Sequence, residues 1–479
     1  MRSRPALKYV VGGLVGAVIP ALMVTGQAFA EEVDPVVALG EATNLLWVII
    51  GAVLVIFMQA GFALVETGFT QKKNAAEVMS MNFAIFGLGF VGFLFIGFPL
   101  AFGGFSYSAF GLGTPMNGDG LPLVGGDNWG LLYWGYDHLG SSATPALLGF
   151  FLYMVAFMDT VATIPTGSMA ERWRWSSFVI WGLFCGAIFY PLFAAWTWGG
   201  GWLAKSWDTM SLGAGYVDFA GSGVVHAVGG AAALAGAIVL GPRIGKYGAD
   251  GKPKAIPGHN IPMAITGCFI LLFGWFGFNA ASTFAATDIQ FATVAANTAI
   301  AGAVGATVAM FYITKRTGKP DPGMMVNGML GGLVAITAPC AFVSPWAAVV
   351  IGAVAAVIAI ELVFFLEKKG VDDPVGAVAV HGGTGTFGVL AVGIFANGKY
   401  GAGWNGSSSE GVKGILQGDW GQFGAQALGA IVIWTIIFGI AFAFFKINNA
   451  LQKGGIRVTE DVEISGLDIP EMGVMGYND

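Results

Sequence analysis

VDFAGSGVVHAVGGAAALAG at residues 217–236 and VDDPVGAVAVHGGTGTFGVLAVG at residues 371–393 are the stretches on which the fold turns. Each holds an Asp (Asp218, Asp373), a His eight residues later (His226, His381), a Val just before the His, and a run of Gly and Ala after it. Both histidines fall about two turns into segments apolar enough to lie in a bilayer. An ionisable group at that depth is costly, so it marks a functional site. Its recurrence in two matching halves points to a pore built on an internal repeat.

Composition agrees with a membrane setting. Hydrophobic residues make up 56% of the chain, charged residues 10%, and the mean hydropathy is +0.73. Soluble chains carry roughly 25% charged residues. The 76 glycines fit as well, because small residues let membrane helices pack closely. The net charge of −6 is spread over loops and implies no nucleic-acid partner. Cys185, Cys268 and Cys340 are odd in number, far apart and within apolar segments, so neither a disulfide framework nor metal spacing follows. Residues 1–30 read as a cleaved signal peptide: Arg2, Arg4 and Lys8 precede an apolar run from Val10 to Val24, and Ala28-Phe29-Ala30 closes it. That run is shorter than the roughly 20 residues a spanning helix needs. Cleavage leaves the mature N-terminus outside.

Hydropathy then gives eleven spans, near 44–66, 78–104, 144–167, 176–198, 220–241, 262–282, 290–313, 324–342, 345–366, 376–396 and 425–447. Loops assigned to the inside, with the tail, hold sixteen of the 22 Lys and Arg residues; the outside loops hold only Lys205, Lys399 and Lys413. Eleven crossings with this bias put the C-terminus inside. The expected fold is an all-α integral membrane protein of eleven transmembrane helices after a cleaved signal peptide. It divides into two inverted five-helix repeats plus a final helix. The membrane domain covers 31–447 and a cytoplasmic tail 448–479. Odd-numbered repeats insert with opposite orientation, so Asp218 belongs at the outer mouth and Asp373 at the inner one. Each His lies about 12 Å deeper, at 1.5 Å per helical residue, and the two approach each other near the midplane.

Three further stretches stand beside the histidines. Trp196-Thr197-Trp198-Gly199-Gly200-Gly201 closes the fourth span, Trp275 to Ser282 closes the sixth on the same side, and Tyr153-Met154-Val155-Ala156-Phe157 lies in the third. Aromatic faces attract a small cation, and Ser282 offers an acceptor in place of lost hydration. Acidic outer-loop residues (Asp119, Asp127, Asp137, Asp208, Asp218, Asp288, Asp419) add a weak attraction for cations.

On DFAGSGVVH, GWFGFNAAS, WTWGGG, MAERWRW, VDDPVGAVAVHG and GLDIPEMGVMGY, in that family's order across the mature sequence, the chain resembles the ammonium transporter (Amt/MEP/Rh) family, bacterial Amt branch. The resemblance implies that Trp198, Phe157 and Ser282 form an external ammonium-recruitment site, with Asp218 the acid that holds its loop. It implies a gate of Phe157 and Phe278 with Tyr153 above it. His226 and His381 would be the twin-histidine pair, with Trp275 and Thr337 lining the pore. It also implies homotrimers in the inner membrane, a tail that contacts a neighbouring subunit, and a P-II signal protein as partner on the cytoplasmic face. No cofactor is implied. Tyr153 stands where many members have Phe, and Met154 replaces a common Gln. Asp159, a carboxylate two residues past Phe157, reads as an acid at a helix interface or as a proton relay.

The expected activity is recruitment of NH4+, its deprotonation, and passage of NH3 along the histidines, the proton being carried separately. The alternatives are an ammonium sensor of the same fold whose signalling module is absent here, a gas channel without current, and an intramembrane enzyme. For the enzyme, neither an H-E-x-x-H sequence, a nucleophile elbow nor a phosphate loop is present.

Overall fold

The structure, a computed structural model, describes residues 34–103, 105, 107–112, 121–124, 132–134, 138–141, 143–407 and 410–478. The leader expected over 1–30, and the acids Asp119, Asp127 and Asp137, lie outside these residues.

Among the described residues ten helices are long and apolar enough to cross a membrane. In chain order, with one shorter helix in eighth place, they are α1 Pro35–Phe69, α2 Lys72–Phe102, α3 Pro145–Met169, α4 Trp175–Trp196, α5 Ser222–Leu240, α6 Ile261–Thr283, α7 Gln290–Thr317, α8 Pro322–Ile336, α9 Pro345–Lys368, α10 Val378–Phe395 and α11 Trp420–Leu451. Among the described residues only Leu121–Val124 and Leu132–Trp134 pair as strands, in the α2–α3 loop. Large apolar side chains stand exposed on the flanks, Phe83, Phe269, Phe311 and Trp346 among them. An outside of that kind suits lipid rather than water. The three cysteines are free and buried.

Local chemistry sets the boundaries. Asp34 caps α1 by accepting the Val36 N–H at 2.8 Å, ahead of a proline at the first helical position. This start lies nine residues before the hydropathic segment expected at 44. α2 and α4 each pass through a π-helical turn, Phe93–Gly97 and Cys185–Phe189, followed within two residues by a proline (Pro99, Pro191) that has no N–H to give the ladder. α8 stops at Ile336 rather than running to the expected 342. The carbonyls of Thr337 and Ala338 accept the N–H groups of Ala220 and Phe219 instead of continuing a helix, and Pro339 has no N–H to offer.

Helices meet at glycines. A Cβ on Gly51 would lie 2.3 Å from the Ala281 Cβ, and one on Gly267 would lie 2.7 Å from the Gly61 carbonyl oxygen, so α1 and α6 touch backbone to backbone. α5 and α10 cross in the same way, since a Cβ on Gly230 would come within 2.2 Å of the Gly382 nitrogen. α5 leads away from Trp198 and ends beside Arg457, whose guanidinium binds the Leu240 carbonyl. α10 starts beside Asp372 and ends where the Asn397 N–H binds the Phe342 carbonyl. The two therefore enter the core from opposite faces.

On the face where α5 ends, Arg243 pairs with Glu171 and Asp372. Burial alone would raise Asp372, but the Arg243 fork and the Arg172 charge outweigh it and hold the carboxyl well below the usual range. The tail packs over the same face. Lys73 donates to the carbonyls of Glu463 and Ile464 at 2.7 Å, Asp468 accepts the Glu77 N–H at 3.0 Å, and the Tyr477 hydroxyl meets His259 Nε2 at 2.9 Å.

Candidate functional site

On the opposite face a vestibule of 480 Å³ opens among α3, α4, α6 and the loops after α4 and α10. Tyr153, Phe157, Trp198 and Ser282 line it, with Phe219, Tyr400 and Trp404 added by the loops. At its floor the rings of Phe157 and Phe278 stack at 4.1 Å and 26°, both almost wholly buried. Trp198 meets Phe157 edge-on at 5.8 Å.

Rings continue below the stack. Phe278 lies 5.4 Å from His226, which also stacks on Trp275 at 5.2 Å. His226 and His381 lie 5.2 Å apart, with their Nδ1 atoms 3.1 Å from each other. Phe62 follows at 5.9 Å from His381, and a pocket of 20 Å³ opens there, lined by Glu66, Asn327 and Val380 among others. The file Trp198–Phe157–Phe278–His226–His381–Phe62 thus runs from the vestibule toward the tail side.

Each His sits where its helix is wound loosely. Residues Ser222–Ala227 and Val378–Gly383 are π-helical, and the His226 N–H binds the Gly221 carbonyl five residues back. Such turns are rare and concentrate at functional sites. The acids eight residues earlier secure these starts. Asp218 accepts the N–H groups of Gly221, Gly223 and Val224 at 2.8 to 2.9 Å, and Tyr216 donates its hydroxyl. Asp373 accepts those of Ala377 and Val378. Burial raises both carboxyls, Asp373 to about 6, against the pull of these N–H donors. Gly221 sits at φ +113°, a conformation open to glycine, and a Cβ there would press on Val225 and Trp198.

The residues expected at the site fall into two groups. Tyr153, Phe157, Trp198, Phe278, Ser282, His226, His381 and Trp275 come together along the file. Asp218 and Thr337 stand behind it. Asp218 is buried and does not line the vestibule; its carbonyl accepts Trp198 Nε1 at 2.7 Å and so fixes that ring. Thr337 accepts Trp275 Nε1 at 2.9 Å and donates to the Leu333 carbonyl, so its hydroxyl holds Trp275 rather than facing a bore. Tyr153 reaches Ser282 Oγ at 3.0 Å, and Ser282 donates to the Phe278 carbonyl at 2.7 Å. Asp159 is buried in α3 with Oδ1 lacking a partner.

Several participants had no sequence signal. Phe219, Tyr400 and Trp404 come from loops far apart in the chain, and only folding gathers them. Glu66 bonds Asn82 and Thr166 at the lower pocket. His259 ties Thr70 to the tail.

At an Nδ1–Nδ1 distance of 3.1 Å, one ring must donate and the other accept. Neutral imidazoles can do so, and a proton leaving one ring on the far side can be replaced across the contact. Two doubly protonated rings would set N–H against N–H. Among the described residues His226 Nε2 is buried without a hydrogen-bond partner.

The fold and this file define a multi-pass membrane protein with a buried file of aromatic and imidazole rings. The profile of the Ammonium Transporter Family matches residues 46–477, and the chain belongs to that family, whose members are transporters and channels, not enzymes. The chain is 44% identical to the ammonium transporter Amt2 of Archaeoglobus fulgidus, over 98% of this chain and 96% of that one. It is 35% identical to ammonium transporter 1 member 3 of Solanum lycopersicum, over 91% and 94%. Among solved structures it resembles one titled Sensor Amt Protein, with a TM-score of 0.77 and 35% identity, covering 91% of this chain and 99% of the other. Saccharomyces cerevisiae Mep2 gives a TM-score of 0.73 at 25% identity, with 88% of each chain covered.

Proposed function

We propose that this chain takes up ammonium by binding NH4+ in the vestibule, removing a proton at the Phe157/Phe278 stack, and passing NH3 along His226 and His381 while the proton travels separately through the imidazole pair. The single observation carrying this reading is the 3.1 Å contact between the two Nδ1 atoms, directly beneath a closed aromatic stack. An intact cation would lose its hydration there without replacement, at a cost of several kcal/mol. Ammonium can avoid that cost by shedding a proton; K+ cannot. Neutral imidazole both donates and accepts, and its ordinary titration range lies near physiological pH.

The rest of the reading follows the family. α8 counts as the eleventh span, α1–α5 and α6–α10 form the inverted repeats, and the vestibule faces outside after removal of residues 1–30. The protein works as a homotrimer in the inner membrane, and its tail face meets a P-II signal protein. Antiparallel entry of α5 and α10 supports the repeat, and the lysine- and arginine-rich loops on the tail face support the orientation.

Solid-supported-membrane currents from proteoliposomes test the proposal. An ammonium pulse should give a current and a K+ pulse none, and His226→Ala/His381→Ala should lose the ammonium current or the discrimination. Unchanged current and selectivity in that variant would refute the imidazole path. A second reading, ammonium sensing, is favoured by the likeness to the solved Sensor Amt Protein; binding without current in wild type would select it.

A further inference from the structure

The vestibule holds a charge of the wrong sign for its task. Of the described residues lining it, Lys205 is the sole Lys, Arg, Asp or Glu; the others are aromatic, hydroxyl, amide, glycine or Met154. Its side chain is half-buried. Nζ donates to the Asn405 carbonyl over a long 3.4 Å. That carbonyl also accepts Trp207 Nε1 at 3.1 Å. Among the described residues no carboxylate lies within ion-pair distance of Lys205. Asp208, three residues on, is exposed and outside the lining.

The rim that carries the lysine is built rather than loose. Asn405 sits at φ +57°, and its Nδ2 donates to the carbonyls of Ala214 and Tyr216 at 3.0 and 2.9 Å. The α10–α11 loop is thereby fastened over the α4–α5 loop, and the Lys205 head is held where they meet. The repulsion of a single positive charge acts alike on every monovalent cation at the same distance. Ammonium regains the loss at the floor through N–H donation to Ser282 and contact with aromatic faces. K+ has no hydrogens to donate.

We propose that Lys205 sets the ammonium affinity of the vestibule: its positive charge repels cations from the mouth and fixes the concentration at which ammonium fills the floor. This rests on the ammonium reading of the same vestibule. Repulsion between unit charges sharing a partly apolar cavity weakens binding severalfold, and salt screens the exposed part of it.

The test uses full-length protein. Ammonium-pulse currents from proteoliposomes are recorded against ammonium concentration for wild type, Lys205→Gln, Lys205→Met and Lys205→Arg, at low and high concentrations of an inert salt. Ammonium-induced change in tryptophan fluorescence gives the same half-saturation without requiring conduction. The neutral variants should half-saturate at about three- to ten-fold lower ammonium, and K+ should inhibit them at lower concentration than wild type. Lys205→Arg should keep the wild-type value. Raising salt should lower the half-saturation of wild type and Lys205→Arg and leave the neutral variants nearly unmoved. Gln has a hydrogen-bond donor for Asn405 and Met has none, so agreement between them excludes a merely structural role. Neutral variants that match wild type, or bind ammonium more weakly, overturn the proposal, as does an Arg variant that behaves like Gln. Wild type without current would instead sink the transport reading, and the fluorescence titration would still decide the role of Lys205.

Discussion

Replacing Tyr153 by Phe removes one oxygen from the most crowded hydrogen-bonding point of the vestibule and leaves the ring in place. That oxygen lies 3.0 Å from Ser282 Oγ, 3.1 Å from the Gly277 carbonyl and 3.2 Å from the Phe278 carbonyl, and the side chain is fully buried. It has one proton to give. Ser282 already directs its own proton to the Phe278 carbonyl at 2.7 Å, so a proton from Tyr153 to Ser282 uses one of that oxygen's two lone pairs. Loss of a buried hydrogen bond costs about 1 kcal/mol, which should appear as a thermal unfolding temperature lower by a few degrees in detergent. The freed lone pair becomes available to ammonium. If it contributes about 1 kcal/mol in turn, half-saturating ammonium falls roughly five-fold. Current–concentration curves in proteoliposomes, beside a thermal unfolding series, measure both quantities. Unchanged stability together with unchanged or weaker apparent affinity would refute the argument that Tyr153 restrains Ser282.

Three other substitutions probe the conduit. Phe278→Ala removes one half of the 4.1 Å stack and a contact of His226; it should admit K+ and lower stability by about 3 kcal/mol, and wild-type exclusion of K+ would mean the stack is not the gate. Gly230→Ala puts a methyl group 2.2 Å from the Gly382 nitrogen, backbone that cannot swing aside; folding yield or ammonium current should drop at least ten-fold, and a normal current would show that α5 and α10 can part without separating the histidines. Asp159→Asn should leave ammonium currents unchanged across the physiological pH range and should not lower the unfolding temperature, because the Asp159 Oδ1 has no partner to lose; a pH profile that shifts would instead make Asp159 a proton relay.

Much of the conduit was readable because its chemistry stands out against lipid-compatible sequence. His226 and His381 are polar residues in apolar segments, and equal spacing from an Asp marks equivalent turns in two helices. The roles of those acids were harder to see. By position alone Asp218 reads as one of several outer-loop acids, and only the family resemblance implies that it holds its loop; backbone amides take up its oxygens, a role that depends on the chain doubling back at Gly221. Thr337 resembles a lining hydroxyl, but which partner it takes depends on Trp275 arriving from another helix. The end of α8 was misplaced by hydropathy because residues 338–343 stay buried and apolar after the helix stops. Hydropathy registers burial and does not register which carbonyls continue a ladder. Lys205 reads as an ordinary loop lysine, and only the meeting of two distant loops puts it in the vestibule.

The bond from the Glu77 N–H to Asp468 joins residues 391 positions apart. The α-helical part of α2 begins at Ala75, after the 3-10 turn Lys72–Asn74, so Glu77 lies in its first turn. An amide there has no carbonyl within that helix, and the tail finishes a helix begun near the other end of the chain. Removal of residues 468–479 would therefore unsettle the second membrane segment. Variants intended to silence regulation by trimming the C-terminus would also loosen the transmembrane body, and a lowered current in them should be read with their unfolding temperature beside it.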